Sequence, residues 1–214
     1  MLTLHPTPRC IVPGDRPLPF PRRRAYPVQM AAAALITAEQ FEQMGQLGRW
    51  SELERGVVVP VNPPGFPHGA IAVAIAVRLH AFVQPRGLGA VVVESGFTIS
   101  RNPDTVRGPD VSFVRRERTG SGRARGYLAG APDLAVEIRS PDDSMRSLVS
   151  RADEYIAAGA RLVWLVDPDS TSVQVHAPGA AMRTLTASDV LDGGEVLPGF
   201  TMEIAALFLE ALDG

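Results

Sequence analysis

Two charged residues interrupt an apolar segment in the middle of the chain, DLAVEIR at 133–139. The segment has the two-residue period of a strand, which predicts one apolar face and a second face that carries Glu137 and Arg139. An unpaired buried charge is costly, so the second face is predicted to meet water, a partner molecule or a metal ion.

A second carboxylate lies directly before another apolar segment, in RGPDVSFV at 107–114. Pro109 is tolerated at the start of a strand, and Asp110 follows it. If this strand lies beside the one that carries Glu137, the two carboxylates can converge. Two hard oxygen ligands suit Mg²⁺ or Mn²⁺, which keep water or a substrate phosphate in their other positions. The pair therefore predicts a divalent-metal site.

Several short blocks, in order along the chain, carry a family resemblance. They are ELERG at 52–56, HG at 68–69, SGFTI at 95–99, DTVRGPDVSFV at 104–114, LAVEIRSPDDS at 134–144 and ADEYIAAGARLVWLVDP at 152–168. The spaced PD and EIR resemble the PD-(D/E)XK signature of restriction-endonuclease-like nucleases. More closely, the chain over about 33–210 resembles a bacterial family of restriction-endonuclease-like endonucleases.

The resemblance implies a fold, a metal and a set of site residues. The fold would be α/β (α+β), a restriction-endonuclease-like mixed sheet flanked by helices. Glu52, Asp110 and Glu137 would hold Mg²⁺ or Mn²⁺. The substrate would be nucleic acid, with DNA expected rather than RNA. Such nucleases also place a lysine four residues before the tyrosine of an EY pair, where this chain has Arg151.

Arginine in place of lysine leaves two functions open. Arginine keeps its proton, so it cannot act as a base, but it can donate forked hydrogen bonds to a phosphate. The first hypothesis is a metal-dependent endonuclease in which Arg139 or Arg151 stabilises the phosphate. The second is a catalytically impaired module that binds nucleic acid without cleaving it. A structural role for Arg151, an ion pair with Asp153 or Glu154, also stays open.

Other basic residues are candidates for contacts with nucleic acid. Arg139 could bind a phosphate or pair with Asp110 or Glu137, and His68 could contact a phosphate or cap the following helix. A Gly/Arg-rich segment follows the Asp110 strand and could wrap the nucleic-acid backbone or form a solvated loop. Its arginines are Arg115, Arg116, Arg118, Arg123 and Arg125.

The elements that must position these residues follow from periodicity and turn signals. A capped helix near Thr37, a hairpin with its turn at Arg55-Gly56, and a helix over 68–84 come first. Three strand candidates follow at 90–95, 97–100 and 111–116, with a turn at 102–104. The segment from 134 to 167 reads as strand, helix, strand, a parallel crossover unit. A strand at 172–177 and a C-terminal helix complete the chain.

Composition sets the remaining expectations. The net charge is −2 and all 21 basic residues are arginine, so neither a generally basic surface nor a lysine base is available. The longest apolar run ends at Arg78 and the single Cys10 cannot form an internal disulfide, so a cytoplasmic protein without membrane spans is expected. Residues 1–30 read as a disordered Pro/Arg-rich leader, which also fits a start codon assigned too early. Residues 31–214 read as one domain, and a homodimer is expected.

Overall fold

The computed structural model describes residues 34–45, 50–120 and 126–212. The predicted leader at 1–30 and the loop residues Arg123 and Arg125 lie outside these ranges.

A six-stranded mixed sheet forms the centre of the fold. In spatial order its strands are β11 (Arg183–Leu185), β10 (Ser172–His176), β9 (Leu162–Asp167), β8 (Leu134–Ile138), β6 (Val111–Arg115) and β3 (Gly89–Val93). The β8–β9 pair is parallel and the other pairs are antiparallel. The predicted neighbours β6 and β8 are therefore paired, with Val111 opposite Val136.

A second, five-stranded sheet carries the hairpin predicted near Arg55. In spatial order its strands are β2 (Val57–Pro60), β1 (Ser51–Glu54), β5 (Thr105–Arg107), β4 (Phe97–Ser100) and β7 (Leu128–Ala129). A separate two-stranded sheet consists of β12 (Val190–Asp192) and β13 (Thr201–Glu203). The fold class predicted from the sequence, a mixed sheet flanked by helices, is confirmed.

Five helices lie within the described ranges. They are α1 (Ala38–Gln43), α2 (Phe66–Arg86), α3 (Arg116–Thr119), α4 (Met145–Ala157) and α5 (Ile204–Leu212). The predicted capping box is present in α1, where Thr37 and Gln40 each accept a hydrogen bond from the other's backbone N–H. Ser144 caps α4 by accepting from the backbone N–H of Ser147.

The two faces of β8 meet different helices, as its period of two requires. Leu134, Val136 and Ile138 belong to a large core with α2 and α5. Ala135 lies on the other face, in a smaller core with α4. Glu137 shares that second face, so the structure places its carboxyl group between the sheet and α4 rather than in open water.

Helix α2 is long and apolar enough to cross a membrane by length and composition alone. In this structure one stripe of the helix, Ile71, Ile75, Leu79 and Val83, is buried against the six-stranded sheet, and 28% of its apolar window is buried. The helix predicted over 68–84 is confirmed, and it extends over Phe66–Arg86. Its first turn carries His68 towards the Asp110 end of β6, which matters for the site.

Candidate active site

A cleft of about 620 Å³ is lined by residues from both large sheets. Glu52 on β1 and Arg107 on β5 come from the five-stranded sheet. Asp110, which directly precedes β6, and Glu137 on β8 come from the central sheet. Arg151 enters from α4. The antiparallel β6–β8 pairing puts the start of one strand beside the end of the other, so the two predicted carboxylates share this cleft.

Asp110 is held through one of its two carboxyl oxygens. The backbone N–H of Ile138 donates to Oδ2 at 2.6 Å, and His68 Nε2 lies 3.2 Å from the same oxygen. Within the described chain no hydrogen bond reaches Oδ1. The carboxyl group is thus fixed in orientation and keeps one oxygen available for a ligand.

Glu137 is also held through one oxygen. The hydroxyl of Tyr155 donates to Oε1 at 2.6 Å, while Arg151 Nη1 is 3.7 Å from Oε2. Burial, reinforced by the charge of Asp110, raises the pKa of Glu137 to about 8. Glu137 therefore gives up its proton less readily than a solvent-exposed glutamate does.

Glu52, by contrast, has hydrogen-bond or ion-pair partners at both of its carboxyl oxygens. Arg107 Nη1 donates to Glu52 Oε2 at 2.8 Å, the backbone N–H of Gly108 donates to Oε1 at 3.4 Å, and Arg151 Nη2 lies 3.2 Å from Oε2. Among the described residues no three His, Cys, Asp or Glu side chains are grouped closely enough to hold a metal ion. The predicted ligands Glu52, Asp110 and Glu137 do not form such a group in this arrangement: Glu52 lies in an arginine network, which leaves Asp110 and Glu137 as the candidate pair.

Arg151 reaches into the cleft from α4. It pairs with Glu52 and Glu137, and not with Asp153 or Glu154, the helical neighbours considered from the sequence. Burial alone would lower the pKa of Arg151, but Glu137 and Glu52 outweigh it and the pKa is raised. Arg151 is therefore a fixed positive charge at the carboxylate pair.

His68 lies on the first turn of α2 and contacts Asp110, not the end of its own helix. Burial lowers the pKa of His68, but the hydrogen bond to Asp110 and the charges of Asp110, Glu94 and Glu137 together outweigh it and leave the pKa raised. His68 Nδ1 is buried without a hydrogen-bond partner in the described chain. The geometry makes His68 a support for Asp110.

Arg139 lies away from the carboxylate pair. Its guanidinium group donates from Nε to Asp167 Oδ1 at 2.7 Å and from Nη2 to Asp169. The alternative of a salt bridge with Asp110 or Glu137 is wrong, because Arg139 follows the last residue of β8 and pairs with the end of β9. A direct contact with phosphate would require breaking these two ion pairs.

The described arginines at the end of β6 and directly after it lie at the opposite end of that strand from Asp110. Arg115 and Arg118 pair with Asp133 at 3.4 and 3.3 Å, and the Arg116 Nη1 group lies 3.5 Å from the carbonyl of Gly87. A five-residue strand spans roughly 17 Å. Arg115, Arg116 and Arg118 therefore lie far from Asp110 although they are close to it in sequence, and a contact of these residues with nucleic acid stays a prediction.

Two site residues were missed as such in the sequence. Arg107 is 4% exposed and bridges two glutamates. Its Nη1 donates to Glu52 Oε2, and its Nη2 lies 3.1 Å from Glu154 Oε2. Tyr155 entered the sequence analysis only as the tyrosine of the EY pair, and its hydroxyl contact with Glu137 was not predicted. The arginine directly before the Gly-Pro-Asp of RGPD was the available signal for Arg107.

The family whose model matches residues 38–206 is Uma2, described as "Putative restriction endonuclease". The chain belongs to the Uma2 family. A crystal structure of "a putative nuclease belonging to DUF820" from Anabaena variabilis matches with a TM-score of 0.67 and 24% identity, over 76% of this chain and 91% of that chain. This likeness shows the fold. None of the curated proteins compared with the chain matches it.

The restriction-endonuclease-like fold of the Uma2 chain implies a divalent metal, and the donor set fits one. Asp110 and Glu137 lie at neighbouring ends of the paired strands β6 and β8. In each carboxyl group one oxygen is held by a hydrogen bond, Oδ2 of Asp110 by Ile138 N–H and Oε1 of Glu137 by Tyr155, and the other oxygen, Oδ1 or Oε2, faces a possible ion. Mg²⁺ is commonly bound by one or two carboxylates, with water and substrate phosphate completing its shell. Asp110 and Glu137 would hold the ion.

Proposed function

We propose that this Uma2 chain is a divalent-metal-dependent endonuclease that hydrolyses phosphodiester bonds of nucleic acid. The observation that carries the proposal is the convergence of Asp110, Glu137 and Arg151 in one cleft. Two carboxylates beside a guanidinium group match what phosphoryl transfer needs, negative ligands for a cation and a fixed donor for the phosphate.

The chain's own residues would divide the work. A bound Mg²⁺ or Mn²⁺ would supply positive charge to the phosphate and acidify the attacking water. His68 and the Ile138 N–H hold Asp110, and Tyr155 holds Glu137, so the ligand oxygens stay oriented. Arg151 would donate hydrogen bonds to a phosphate oxygen as charge develops there. Arg107 keeps Glu52 in place at the edge of the site.

The experiment is a cleavage assay with a matched control. The full chain is incubated with plasmid DNA and with labelled DNA and RNA strands in Mg²⁺, in Mn²⁺ and in EDTA. Cleavage is expected only with metal, and Asp110→Asn should abolish it. Asp153→Asn, an exposed carboxylate on the same helix as Arg151, should cleave like the wild type. Equal cleavage by Asp110→Asn contradicts the assignment.

A second function is favoured by one observation, the arginine at position 151. Arg151 cannot accept a proton, so the cleft lacks the lysine base that the resemblance implies, although His68 and Glu94 also line it. A chain that binds nucleic acid without hydrolysing it would shift a labelled strand in a gel and leave it intact in every divalent metal.

The predicted homodimer and the cytoplasmic location stay proposals. Sedimentation of the full chain checks the homodimer.

A further inference from the structure

The edge strand β3 of the central sheet lacks the features that usually protect a sheet edge. It pairs with β6 on one side, and no described strand pairs with its other side. Its sequence, GAVVV, contains no charged residue and no proline, and its register with β6 shows no bulge. Natural edge strands are usually short, charged, bulged or covered, because their outward N–H and C=O groups can pair with another strand. The strand at the opposite edge, β11, has only three residues and carries Arg183.

The hydrogen-bonding phase of β3 shows which of its backbone groups point outward. The bonds to the β6 side that flank the strand join Leu88 O to Arg116 N at 2.9 Å and Glu94 N to Asp110 O at 3.4 Å. In an antiparallel ladder every second residue bonds to one neighbour, and the residues between direct their N–H and C=O groups to the opposite side. The residues of β3 that point to the open side are Gly89, Val91 and Val93.

An apolar groove runs beside this edge, between β3 and α2. Its volume is about 630 Å³, and its described lining contains no Asp, Glu, Lys or Arg. Val77 and Val93 are 60% and 52% exposed, and 28% of the apolar window of α2 is buried. The lining residues are Ala76, Val77, His80, Ala81, Val91–Val93 and Ser95. An occupant of this surface has to be apolar and also has to offer backbone hydrogen bonds, which lipid tails do not.

We propose that a second copy of this chain covers the open edge, with the two β3 strands antiparallel across a two-fold axis. In the register centred on Val91, Val91 of one copy lies opposite Val91 of the other, and Gly89 lies opposite Val93. Every outward N–H group then meets an outward C=O group. The carbonyl of Val93 also accepts from the Ser95 hydroxyl at 3.3 Å, and its second lone pair serves the bond between the copies.

The same arrangement brings the two α2 helices together. Helix α2 lies over β3 and β6, and Val77 and Ala81 line the groove at the edge. A helix over these two strands is about one strand spacing from the axis, so the two copies of α2 come about 10 Å apart, which is a packing distance for helices. The exposed apolar face of α2 is thereby buried against its copy. This inference gives the expected homodimer an interface and does not depend on the proposed function.

Sedimentation velocity of the full chain tests the interface. The wild type should sediment as a dimer. Val93→Lys places a charge at the edge and Val77→Glu places one in the groove, and a two-fold interface contains each change twice. Each variant should raise the dimer dissociation constant by about 30-fold or more, the effect of losing a hot-spot residue. Leu209→Glu is the matched control, because Leu209 is 61% exposed on α5 outside this groove and its variant should stay dimeric. Circular dichroism establishes that each variant is folded.

Cysteine pairs test the register. Cys10 is the single cysteine of the chain, so the background is Cys10→Ser. Val91→Cys places two thiols across the axis with a Cα separation of about 5.5 Å, which a disulfide can span. Val93→Cys is the control, because its two copies lie four residues apart along the strands, roughly 13 Å. Oxidised glutathione should link the Val91→Cys chains into a covalent dimer and leave the Val93→Cys chains unlinked.

The outcomes separate this inference from the nuclease proposal. A wild type that sediments as a monomer, whatever other protein or lipid surface it binds, overturns the inference, as does a dimer that both charged variants retain. Linking of Val93→Cys in preference to Val91→Cys overturns the register. None of these results depends on cleavage, so a monomer that cleaves nucleic acid would support the nuclease proposal and contradict this one.

Discussion

The hydroxyl of Tyr155 and the carboxyl group of Glu137 form a buried hydrogen-bonded pair, with Oη donating to Oε1 at 2.6 Å. Tyr155 is fully buried and Glu137 is 7% exposed. Because α4 supplies the donor and β8 the acceptor, the crossover unit itself fixes the orientation of the carboxyl group. Glu137 Oε2 is thereby left on the side of Arg151, where a cation would bind.

Removing that donor should weaken metal binding. Tyr155→Phe keeps the ring packing and loses only the hydroxyl. Loss of a group that orients a ligand costs about 10- to 100-fold in metal affinity, and an unsatisfied buried carboxyl group costs about 1–3 kcal/mol of unfolding free energy. Calorimetric titration with Mn²⁺ and urea unfolding measure the two effects. Tyr127→Phe is the control, and unchanged Mn²⁺ affinity in Tyr155→Phe would count against the ligand role of Glu137.

The raised pKa of Glu137 predicts how stability depends on pH without metal. The folded-state pKa is about 8 and the ordinary value is 4.5, so the folded chain holds the proton more tightly than the unfolded chain. The stability from this group is full below pH 4.5 and is lost as pH rises through about 8. Mn²⁺ should reverse this trend, because it binds the carboxylate and stabilises more as pH rises.

Glu137→Gln isolates that contribution. Glutamine keeps an acceptor for Tyr155 and does not titrate. The urea midpoint of this variant should therefore not show the decrease, as pH rises, that the titration of Glu137 causes in the wild type. Glu203→Gln, an exposed carboxylate on β13, should retain the wild-type profile. The prediction fails if the two variants show the same dependence on pH.

Arg107 is expected to contribute strongly to stability. Its side chain is 5% exposed and pairs with Glu52, whose side chain is 9% exposed. Breaking a buried ion pair costs about 3–5 kcal/mol, because the remaining charge is left unpaired. Arg107→Met should therefore unfold at much lower urea, and adding Glu52→Gln should restore part of the loss. The control is Arg183→Met, whose half-exposed pair with Asp192 should contribute about 0–1 kcal/mol.

Much of the central sheet could be predicted from the sequence because its elements carry strong local signals. The alternation in β8, the capping residue of α4 and the apolar run of β9 each specify one element, and their order specifies the crossover. The short strands β5, β7, β11, β12 and β13 were not predicted, since two or three residues show no period. Without β5, Arg107 had no predicted position.

The sequence predicted the parts of the candidate site that follow from the positions of strand ends. It did not predict the parts that depend on ion pairs between residues far apart in the chain. Asp110 and Glu137 converge because their strands pair. Arg139 was assigned to the site from its place in the triplet, but Asp167 and Asp169, which hold it, lie on another strand and loop. Glu52 was assigned as a ligand, and the arginine that holds it lies 55 residues away along the chain. Such long-range pairing leaves no local pattern.

Arg151→Lys decides between an active nuclease and an impaired one. Arginine at this position fills the space beside Glu52 and Glu137 with a group that never gives up its proton. A lysine ammonium group is smaller, leaves room for a water molecule, and can lose its proton when buried. If the wild type is slow for lack of a base, the variant should cleave faster, by up to about 100-fold, at the low end of what general acid–base catalysis contributes. Arg146→Lys, on the same helix and outside the cleft lining, should leave the rate unchanged. A slower Arg151→Lys enzyme would instead show that the forked contact of arginine with phosphate carries the reaction.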